Sequence, residues 1–303
     1  MYHYVRKDDK NYPNFRFLHV DDFQRQLDYF QSEYGFVNKA DFIQSFQGGP
    51  KPEGIILTFD DGVWDHYHFA YKILAERKLW GIFYVPTFIF GTIILDVHRI
   101  HLLLGKFASL DLYQALNDIV TDDMLIDKNR ADFSKNPYEN QKNDEYTIAF
   151  KRTLNYSIGY EYRKPVIDQL MNLFFGVDHD FGNFYLKPAE IQEMHHNNMM
   201  IGSHSVNHYL MSKLSEKEQK DEIVNSFVEL EKLTGALNPR TFCYPYGVPG
   251  SFTPVSEKVL SDADVLFSFC VKSRDITTED IRNRPQALPR FDCNEFKFGQ
   301  CRM

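Results

Sequence analysis

Short apolar runs alternate with segments of helical periodicity along much of the chain. Gly54–Phe59 is apolar and contains β-branched residues, which predicts a buried strand that ends at Asp60. Apolar residues over 64–78 recur at helical spacing, and Gly81–Val85 is again a short apolar run. Because parallel neighbouring strands need a crossover connection, this strand–helix–strand order predicts a parallel sheet.

The same alternation returns in the last third of the chain. The sequence Ser215–Glu218 is a capping box that opens a predicted helix, and Gly235 ends that helix. The pattern as a whole predicts a barrel-like α/β core. The other predicted elements of this core are helices over 22–33, 187–197 and 254–263, and strands over 199–202, 240–244 and 265–271.

Residues 92–182 interrupt this alternation. Polar, turn-rich sequence such as 136–144 separates segments of helical periodicity. We therefore predict a mostly helical insertion over 92–182 within one domain that spans 1–303. The predicted helices of the insertion lie near 98–107, 110–121 and 163–175.

Composition narrows the class of protein. Apolar residues make up 43% and charged residues 25% of the 303 residues, as in soluble globular proteins. The net charge of -8 argues against a nucleic-acid-binding surface. No apolar run approaches the ~20 residues that span a bilayer, and Met1–Arg6 does not resemble a signal peptide, so we expect a cytoplasmic protein. The four cysteines form no C-x-x-C pair, which disfavours a zinc cluster or a disulfide framework.

Three polar motifs follow predicted strands: Thr58–Gly62, His204–His208 and Phe242–Gly247. Ligands of parallel α/β folds collect at the carboxyl ends of strands. We therefore expect the three motifs to meet at one rim. Taken singly, each motif also fits an ordinary feature, namely a turn, two histidines on a solvated surface and a strand end.

Together, Asp61, His204 and His208 would form a site of two histidines and one carboxylate, with Asp60 left beside a water molecule. Such a ligand set suits zinc-dependent hydrolysis and also non-haem iron. The histidines of Asp96–His101 could form a second metal site, but the spacing of this segment favours an amphipathic helix.

The ordered motifs resemble those of the polysaccharide deacetylases, the carbohydrate esterases with a NodB-homology domain. The resemblance covers about residues 1–91 and 183–292 and implies a distorted (β/α) barrel of about seven strands. It further implies a hydrolase that removes the N-acetyl group of an amino sugar. The implied cofactor is a divalent metal, zinc before cobalt, nickel or iron(II), and the implied partner is an N-acetylated carbohydrate.

The resemblance also implies a role for each motif residue. Asp60 corresponds to the general base, and Asp61, His204 and His208 correspond to the metal ligands. The backbone N–H of Tyr246 corresponds to an oxyanion-hole donor. These roles are expectations from the family pattern.

The sequence departs from the commonest pattern of the family. Cys243 stands where many members carry an arginine that orients the catalytic aspartate, and the usual Leu-x-x-His near the C-terminus is not evident. Tyr2–His3 and Leu288–Asp292 resemble instead the branch that deacetylates exported poly-N-acetylglucosamine. That resemblance implies His3 as the general acid and Arg290 as the partner of the catalytic aspartate.

Several alternatives stay open from the sequence. The same site could hydrolyse an O-acetyl ester or a formamide, and the ligand set also permits a non-haem iron oxygenase. A catalytically inactive carbohydrate-binding protein on the same fold is a further alternative, although the intact acidic and histidine residues argue against it. The substrate could be a sugar nucleotide, a lipid-linked saccharide or an oligosaccharide, and the sequence does not predict the oligomeric state.

Overall fold

The computed structural model of the protein describes residues 1–91, 94–126, 143–177 and 179–301. The chain divides into two compact units. The first unit comprises Met1–Lys7, Phe17–Ile93 and Asn183–Arg302, and the second comprises Asp8–Arg16 and Ile94–Gly182.

The strands of the described residues are β1 (Val5–Arg6), β2 (Leu18–His19), β3 (Thr58–Phe59), β4 (Ile82–Val85), β5 (Met200–Ser203), β6 (Arg240–Cys243) and β7 (Val265–Phe269). The α-helices are α1 (Val20–Glu33), α2 (Lys39–Ser45), α3 (Lys72–Glu76), α4 (Asp96–Lys106), α5 (Ser109–Ile119), α6 (Glu145–Arg152), α7 (Tyr160–Phe175), α8 (Pro188–His196), α9 (Glu216–Thr234), α10 (Pro254–Asp262) and α11 (Thr278–Asn283).

The first unit is built on a five-stranded parallel sheet with the strand order β3-β4-β5-β6-β7. The strands β1 and β2 form a separate parallel pair. All four residues of β4 are buried, and the rings of Phe59 and Phe83 stack with centroids 4.6 Å apart across β3 and β4. The predicted parallel α/β core is therefore confirmed.

Extended segments continue the sheet at both of its edges. Tyr2 pairs with Phe59 of β3, and Leu288 pairs with Phe269 of β7. These two edge segments also meet each other, because the Met1 amino group donates a hydrogen bond of 2.7 Å to the carbonyl of residue 291, while the amide of residue 293 donates one of 3.1 Å to Met1. The two ends of the chain thus close the curved sheet into the predicted distorted barrel.

Most predicted elements of the core lie within a few residues of the observed ones, but the first strand is shorter than predicted. Of Gly54–Phe59, only Thr58 and Phe59 form β3. Ile55 instead exchanges backbone hydrogen bonds of 2.9 and 3.1 Å with Gly35 and Val37, outside the five-stranded sheet. The apolar run is therefore shared between two pairings, which its sequence does not reveal. The elements β1, β2, α2 and α11 were not predicted.

The predicted helix over 64–78 contains a π-helical turn, His66–Tyr71, that leads into α3. His66 is fully buried, with its ring 5.7 Å from that of Phe59 and 5.8 Å from that of Phe83. Single π-helical turns of this kind are frequent at functional sites. Here the turn directs an imidazole into the core next to the first motif.

The second unit has an apolar core of its own. Helices α4, α5 and α7 confirm the three helices predicted in the insertion, whereas α6 was not predicted. Asp144 begins α6 by accepting a 2.8 Å hydrogen bond from Thr147, so this residue of the predicted turn-rich segment is a helix cap, and 136–142 lie outside the described residues. The core residues are Ile100, Leu103, Leu112, Leu116, Phe150, Leu154, Ile158, Val166, Ile167, Leu170 and Met171.

The segment Asp96–His101 lies in α4, as its spacing predicted. Asp96 forms a 3.0 Å ion pair with Arg99, and no group of potential metal ligands is found here among the described residues. None of the helices in the described part of the chain is long and apolar enough to cross a membrane. The assignment of 1–303 to one catalytic domain stays a prediction.

Candidate active site

Polar residues follow three strands of the parallel sheet at the same edge. Asp60 and Asp61 come directly after β3, His204 directly after β5, and Tyr246 soon after β6. Asp60, Asp61 and His204 are each 2% exposed and His208 is 6% exposed, so all four lie within the barrel rim. The structure therefore brings the three sequence motifs together, as the strand order predicts.

Asp61, His204 and His208 form a compact group of potential metal ligands. The Nε2 atoms of His204 and His208 lie 3.4 and 3.3 Å from Oδ1 of Asp61. A charge-assisted hydrogen bond between such groups would be about 2.7–2.9 Å long. By contrast, two atoms that each lie about 2.0–2.1 Å from a tetrahedral zinc ion are about 3.3–3.4 Å apart. The spacing and the chemistry of the three side chains thus fit a divalent cation.

The other ring nitrogen of His204 fixes how this imidazole is presented. Nδ1 of His204 lies 2.7 Å from the carbonyl oxygen of Cys243. A carbonyl can only accept a hydrogen bond, so Nδ1 carries a proton, and Nε2 is the ring nitrogen that faces Asp61 and that could bind a cation once it is deprotonated. A backbone carbonyl in this position is the usual orienting partner of a metal-binding histidine.

Arg290 binds the carboxylate of Asp60 with both arms of its guanidinium. Nη1 lies 2.9 Å from Oδ1, and Nη2 donates a short hydrogen bond to Oδ2. Nη1 also donates to Oγ1 of Thr58 at 3.0 Å, and Nη2 lies 2.8 Å from Sγ of Cys243. Arg290 is 7% exposed, so the pair is nearly withdrawn from water. The predicted pairing of Arg290 with Asp60 is therefore present in the fold.

Two opposed effects set the charge of Asp60. Burial raises the pKa of its carboxyl, but the positive charges of Arg290 and His204 and the hydrogen bonds from Arg290 lower it more strongly. The resulting pKa of Asp60 lies well below the ordinary value. Asp60 is therefore a carboxylate at any physiological pH, ready to accept a proton but weakly basic.

Cys243 occupies the space beside the Asp60–Arg290 pair. Its thiol lies 3.7 Å from Oδ2 of Asp60, and burial raises the pKa of this thiol. A small neutral side chain here leaves room for the guanidinium of Arg290, which arrives from the segment next to β7. Position 243 thus lacks the arginine of the commoner family pattern, but the guanidinium of Arg290 binds Asp60 from another part of the chain.

Several non-glycine residues at this rim have a left-handed backbone conformation. Asp61, Ser205, His208 and Tyr246 have φ angles of 82°, 66°, 58° and 63°, a region that residues other than glycine rarely adopt. Each of these residues lies in one of the three motifs. Left-handed conformations in non-glycine residues cluster at ligand-binding and active sites, where the surrounding structure enforces them.

Tyr246 and His3 complete the set of predicted site residues. The Tyr246 ring packs edge-on against the ring of His208, with centroids 5.2 Å apart, so Tyr246 adjoins the ligand group. His3 is half-buried next to Tyr2, whose carbonyl accepts a 2.9 Å hydrogen bond from the Asp60 amide. The charge of His3 contributes to lowering the pKa of Asp60. Both residues thus lie at the rim where the sequence placed them.

His66 was not predicted as a residue of this region. Its Nε2 lies 2.8 Å from the carbonyl oxygen of His3, which holds the backbone of the N-terminal segment beside Asp60. Burial lowers the pKa of His66 to about 4, so the ring is neutral at pH 7 and Nε2 is the donor. The sequence shows only a histidine in a helical segment, and nothing in it marks the contact with His3.

Comparisons with known proteins agree with this arrangement. Residues 166–279 match the family model of the polysaccharide deacetylases, a segment that includes the second and third motifs. No curated protein sequence matches the chain significantly.

Solved structures share the fold at low sequence identity. The Streptococcus pyogenes deacetylase PplD in complex with acetate is 14% identical, with a TM-score of 0.58 over 96% of this chain and 88% of that one. A de-N-acetylase from Aggregatibacter actinomycetemcomitans is 15% identical, with a TM-score of 0.54 over 96% and 92%. IcaB from Ammonifex degensii is 17% identical, with a TM-score of 0.50 over 89% and 81%. The match of residues 166–279 to this family and the shared fold confirm the predicted resemblance to the polysaccharide deacetylases and the predicted NodB-type barrel fold.

Proposed function

We propose that the protein is a metal-dependent hydrolase that removes the N-acetyl group of an amino sugar. One observation carries the proposal: the group Asp61, His204 and His208 lies beside a second carboxylate, Asp60, that Arg290 holds in a fixed orientation. A ligand group and an adjacent proton acceptor are the two parts that hydrolysis of an amide by water requires.

Asp61, His204 and His208 would hold the cation, for which zinc is our first choice, with cobalt, nickel or iron(II) as alternatives. When bound, a divalent cation would acidify a water molecule and polarise the acyl carbonyl. The lowered pKa of the water would match a weak base such as Asp60, because a carboxylate of low pKa accepts a proton readily only from a donor whose own pKa is low.

The remaining steps use groups of the chain itself. Asp60 accepts the proton of the water as the water oxygen attacks the acyl carbon. The backbone N–H of Tyr246 donates a hydrogen bond to the oxyanion that forms. His3 then gives a proton to the amine nitrogen as the C–N bond breaks, which releases acetate and the free amino sugar. Arg290 takes no proton and keeps the Asp60 oxygens in place.

The match of residues 166–279 to the polysaccharide deacetylase family, together with the fold shared with a protein described as a de-N-acetylase, supports an N-acetylated saccharide as the substrate class. Sugar nucleotides, lipid-linked saccharides and oligosaccharides all carry this group. The predicted cytoplasmic location stays a prediction, so it does not narrow the choice. An O-acetyl ester is a second candidate, since the same groups would hydrolyse it.

Acetate release tests the proposal. Zinc-loaded protein is incubated with N-acetylglucosamine oligosaccharides, acetylated sugar nucleotides and O-acetylated sugars, and acetate and free amine are quantified together. From the N-acetyl substrates we expect equal amounts of acetate and amine, formed about 10²- to 10⁴-fold more slowly by D60N. Acetate without amine would favour the esterase. Glycan binding by protein that takes up no metal would favour a non-catalytic carbohydrate-binding protein.

The role of His3 has its own test. An amine is a poor leaving group unless its nitrogen is protonated, whereas 4-nitrophenolate can leave without protonation. We therefore expect H3A to lower turnover of the N-acetyl substrate by about 10²-fold or more, with little effect on 4-nitrophenyl acetate. Equal losses on both substrates, or no loss on either with metal still bound, would remove His3 from the acid role.

A further inference from the structure

Glu222 is a buried acidic residue that the proposed chemistry does not use. It lies on α9 and is 7% exposed. Oε2 accepts hydrogen bonds from the backbone amides of Val206 and Asn207 at 3.0 and 2.8 Å, and Oε1 accepts one from the side-chain amide of Asn207. All three donors belong to the loop between the two histidine ligands.

The carboxylate charge of Glu222 is balanced by this loop. Among the described residues, Glu222 forms no ion pair with a lysine, arginine or histidine within 4.0 Å. A buried carboxylate is costly unless N–H groups satisfy it. Here the two backbone amides and the Asn207 side chain supply those donors. Burial of the Glu222 carboxylate therefore depends on the conformation of the loop, and the loop is stabilised by the carboxylate.

The rest of the loop is fixed from other directions. Ser205 Oγ accepts a 3.0 Å hydrogen bond from the His208 amide. The carbonyls of Ser205 and Val206 accept hydrogen bonds of 3.1 and 3.0 Å from Thr87 and Phe88, in the turn after β4. These hydrogen bonds involve the carbonyls of Ser205 and Val206 and the hydroxyl of Ser205. The backbone amides of Val206 and Asn207, at the apex of the loop, donate instead to Glu222. The left-handed backbone of Ser205 and His208 therefore needs support from both sides.

We infer that Glu222 is a positioning residue for the two histidine ligands. By fixing the apex of the 204–208 loop, it keeps the Nε2 atoms of His204 and His208 directed at Asp61. The statement about metal binding rests on the proposed function, while the statement about the loop does not. Partners beyond the direct ligands typically affect metal affinity by about 10- to 100-fold.

Hydrogen–deuterium exchange of metal-free protein tests the loop. In E222A, we expect the amides of Val206 and Asn207 to exchange about tenfold faster or more, because they lose their acceptor. E229A is the matched control, since Glu229 lies on the same helix and pairs with the exposed Lys232. Exchange at 206–207 that is equal in wild type, E222A and E229A would overturn the inference.

Zinc affinity, measured by competition with a chromogenic chelator, tests the link to the ligands. We expect E222A to weaken zinc binding by about 10- to 100-fold and E229A to leave it unchanged. E222Q places an amide against the amide of Asn207, so it should weaken binding as well. The double variant E222Q/N207D restores one donor and one acceptor across this contact and should recover most of the affinity.

E222Q and E222Q/N207D test the positioning role even if E222A is unstable. If E222A does not fold, the contrast between E222Q and E222Q/N207D replaces it. Equal zinc affinity in wild type and E222Q, or no recovery in the folded double variant, would contradict a positioning role. If wild-type protein binds no zinc, the proposed function fails, whereas the exchange comparison still decides whether Glu222 holds the loop.

Discussion

Asp60 and Asp61 are neighbours in sequence, yet their carboxylates face different partners. The Asp60 side consists of Asp60, Thr58, Cys243 and Arg290, and the Asp61 side consists of Asp61, His204 and His208. Asp60 is bound by a guanidinium through both oxygens, whereas Oδ1 of Asp61 lies 3.3–3.4 Å from two imidazole nitrogens. The guanidinium of Arg290 thus neutralises one carboxylate, while the other belongs to a group of potential metal ligands.

The difference follows from the left-handed conformation of Asp61. With φ at 82°, the backbone turns sharply between the two aspartates, so that their side chains reach different sets of strands. Gly62 continues the turn with φ of 59°, and a Cβ there would meet the Ile89 side chain at 3.0 Å. Two adjacent carboxylates can therefore take separate tasks without competing for the same cation.

A substitution on the Asp61 side should have the largest effect on turnover and on zinc binding. In D61N the carboxylate is lost with little change of shape, so we expect zinc no longer to raise the melting temperature. Turnover should fall by more than the about 10²- to 10⁴-fold that one acid or base contributes. Thermal melts with and without zinc check this result. A D61N protein that zinc stabilises as strongly as wild type would contradict the division between the two sides.

Removing the base should lower turnover but leave metal binding in place. For D60N we expect kcat to fall about 10²- to 10⁴-fold, because an amide cannot accept the proton of the attacking water. Steady-state kinetics on the preferred acetylated sugar measure the loss. Wild-type turnover by D60N would exclude Asp60 as the base.

The Asp60–Arg290 pair predicts a coupled effect on stability. R290M leaves the carboxylate of Asp60 buried without its cation, so we expect the free energy of unfolding to fall by about 3–5 kcal/mol. The double variant R290M/D60N should recover much of this loss, because no unpaired charge remains. Denaturant titrations of the four proteins check the cycle. Additive losses would show that the pairing does not carry the stability.

His66 predicts a smaller effect that depends on pH. Burial lowers its pKa to about 4 in the folded protein, whereas an unfolded chain titrates near about 6.5. The unfolded state therefore takes up the proton first as the pH falls, and stability is lost between about pH 6.5 and about 4, by up to about 3 kcal/mol. H66Q lacks this titration, while its amide can still donate to His3.

The comparison of wild type and H66Q by denaturant unfolding at pH 7 and pH 4.5 checks this prediction. We expect wild type to lose more stability than H66Q between the two values. An identical pH dependence in both proteins would show that His66 does not titrate as its buried position requires.

The sequence was sufficient to predict that Asp61, His204 and His208 lie together, because local patterns carry this grouping. An apolar run that ends in Asp60-Asp61 and a second that ends before His204 are visible without any structure. Parallel strands then place both ends at one rim. The spacing of His204 and His208 completes the group. The prediction therefore needed only the strand order and the chemistry of three residue types.

Contacts between distant parts of the chain could not be predicted in this way. Arg290 is 230 residues from Asp60, and only the resemblance to a family branch suggested their pairing. Glu222 acts through backbone amides of Val206 and Asn207, which leave no mark in the side-chain pattern. The π-helical turn that buries His66 also has no periodic signature, since its residues fit an ordinary helix.

Zinc stoichiometry of D60N and D61N tests the central claim most directly. Both proteins are stripped of metal, dialysed against the same free zinc concentration and analysed for bound zinc per chain. The division of tasks predicts one zinc ion per chain, as in wild type, for D60N and a marked loss for D61N. Equal zinc contents in the two variants, or a loss confined to D60N, would contradict it.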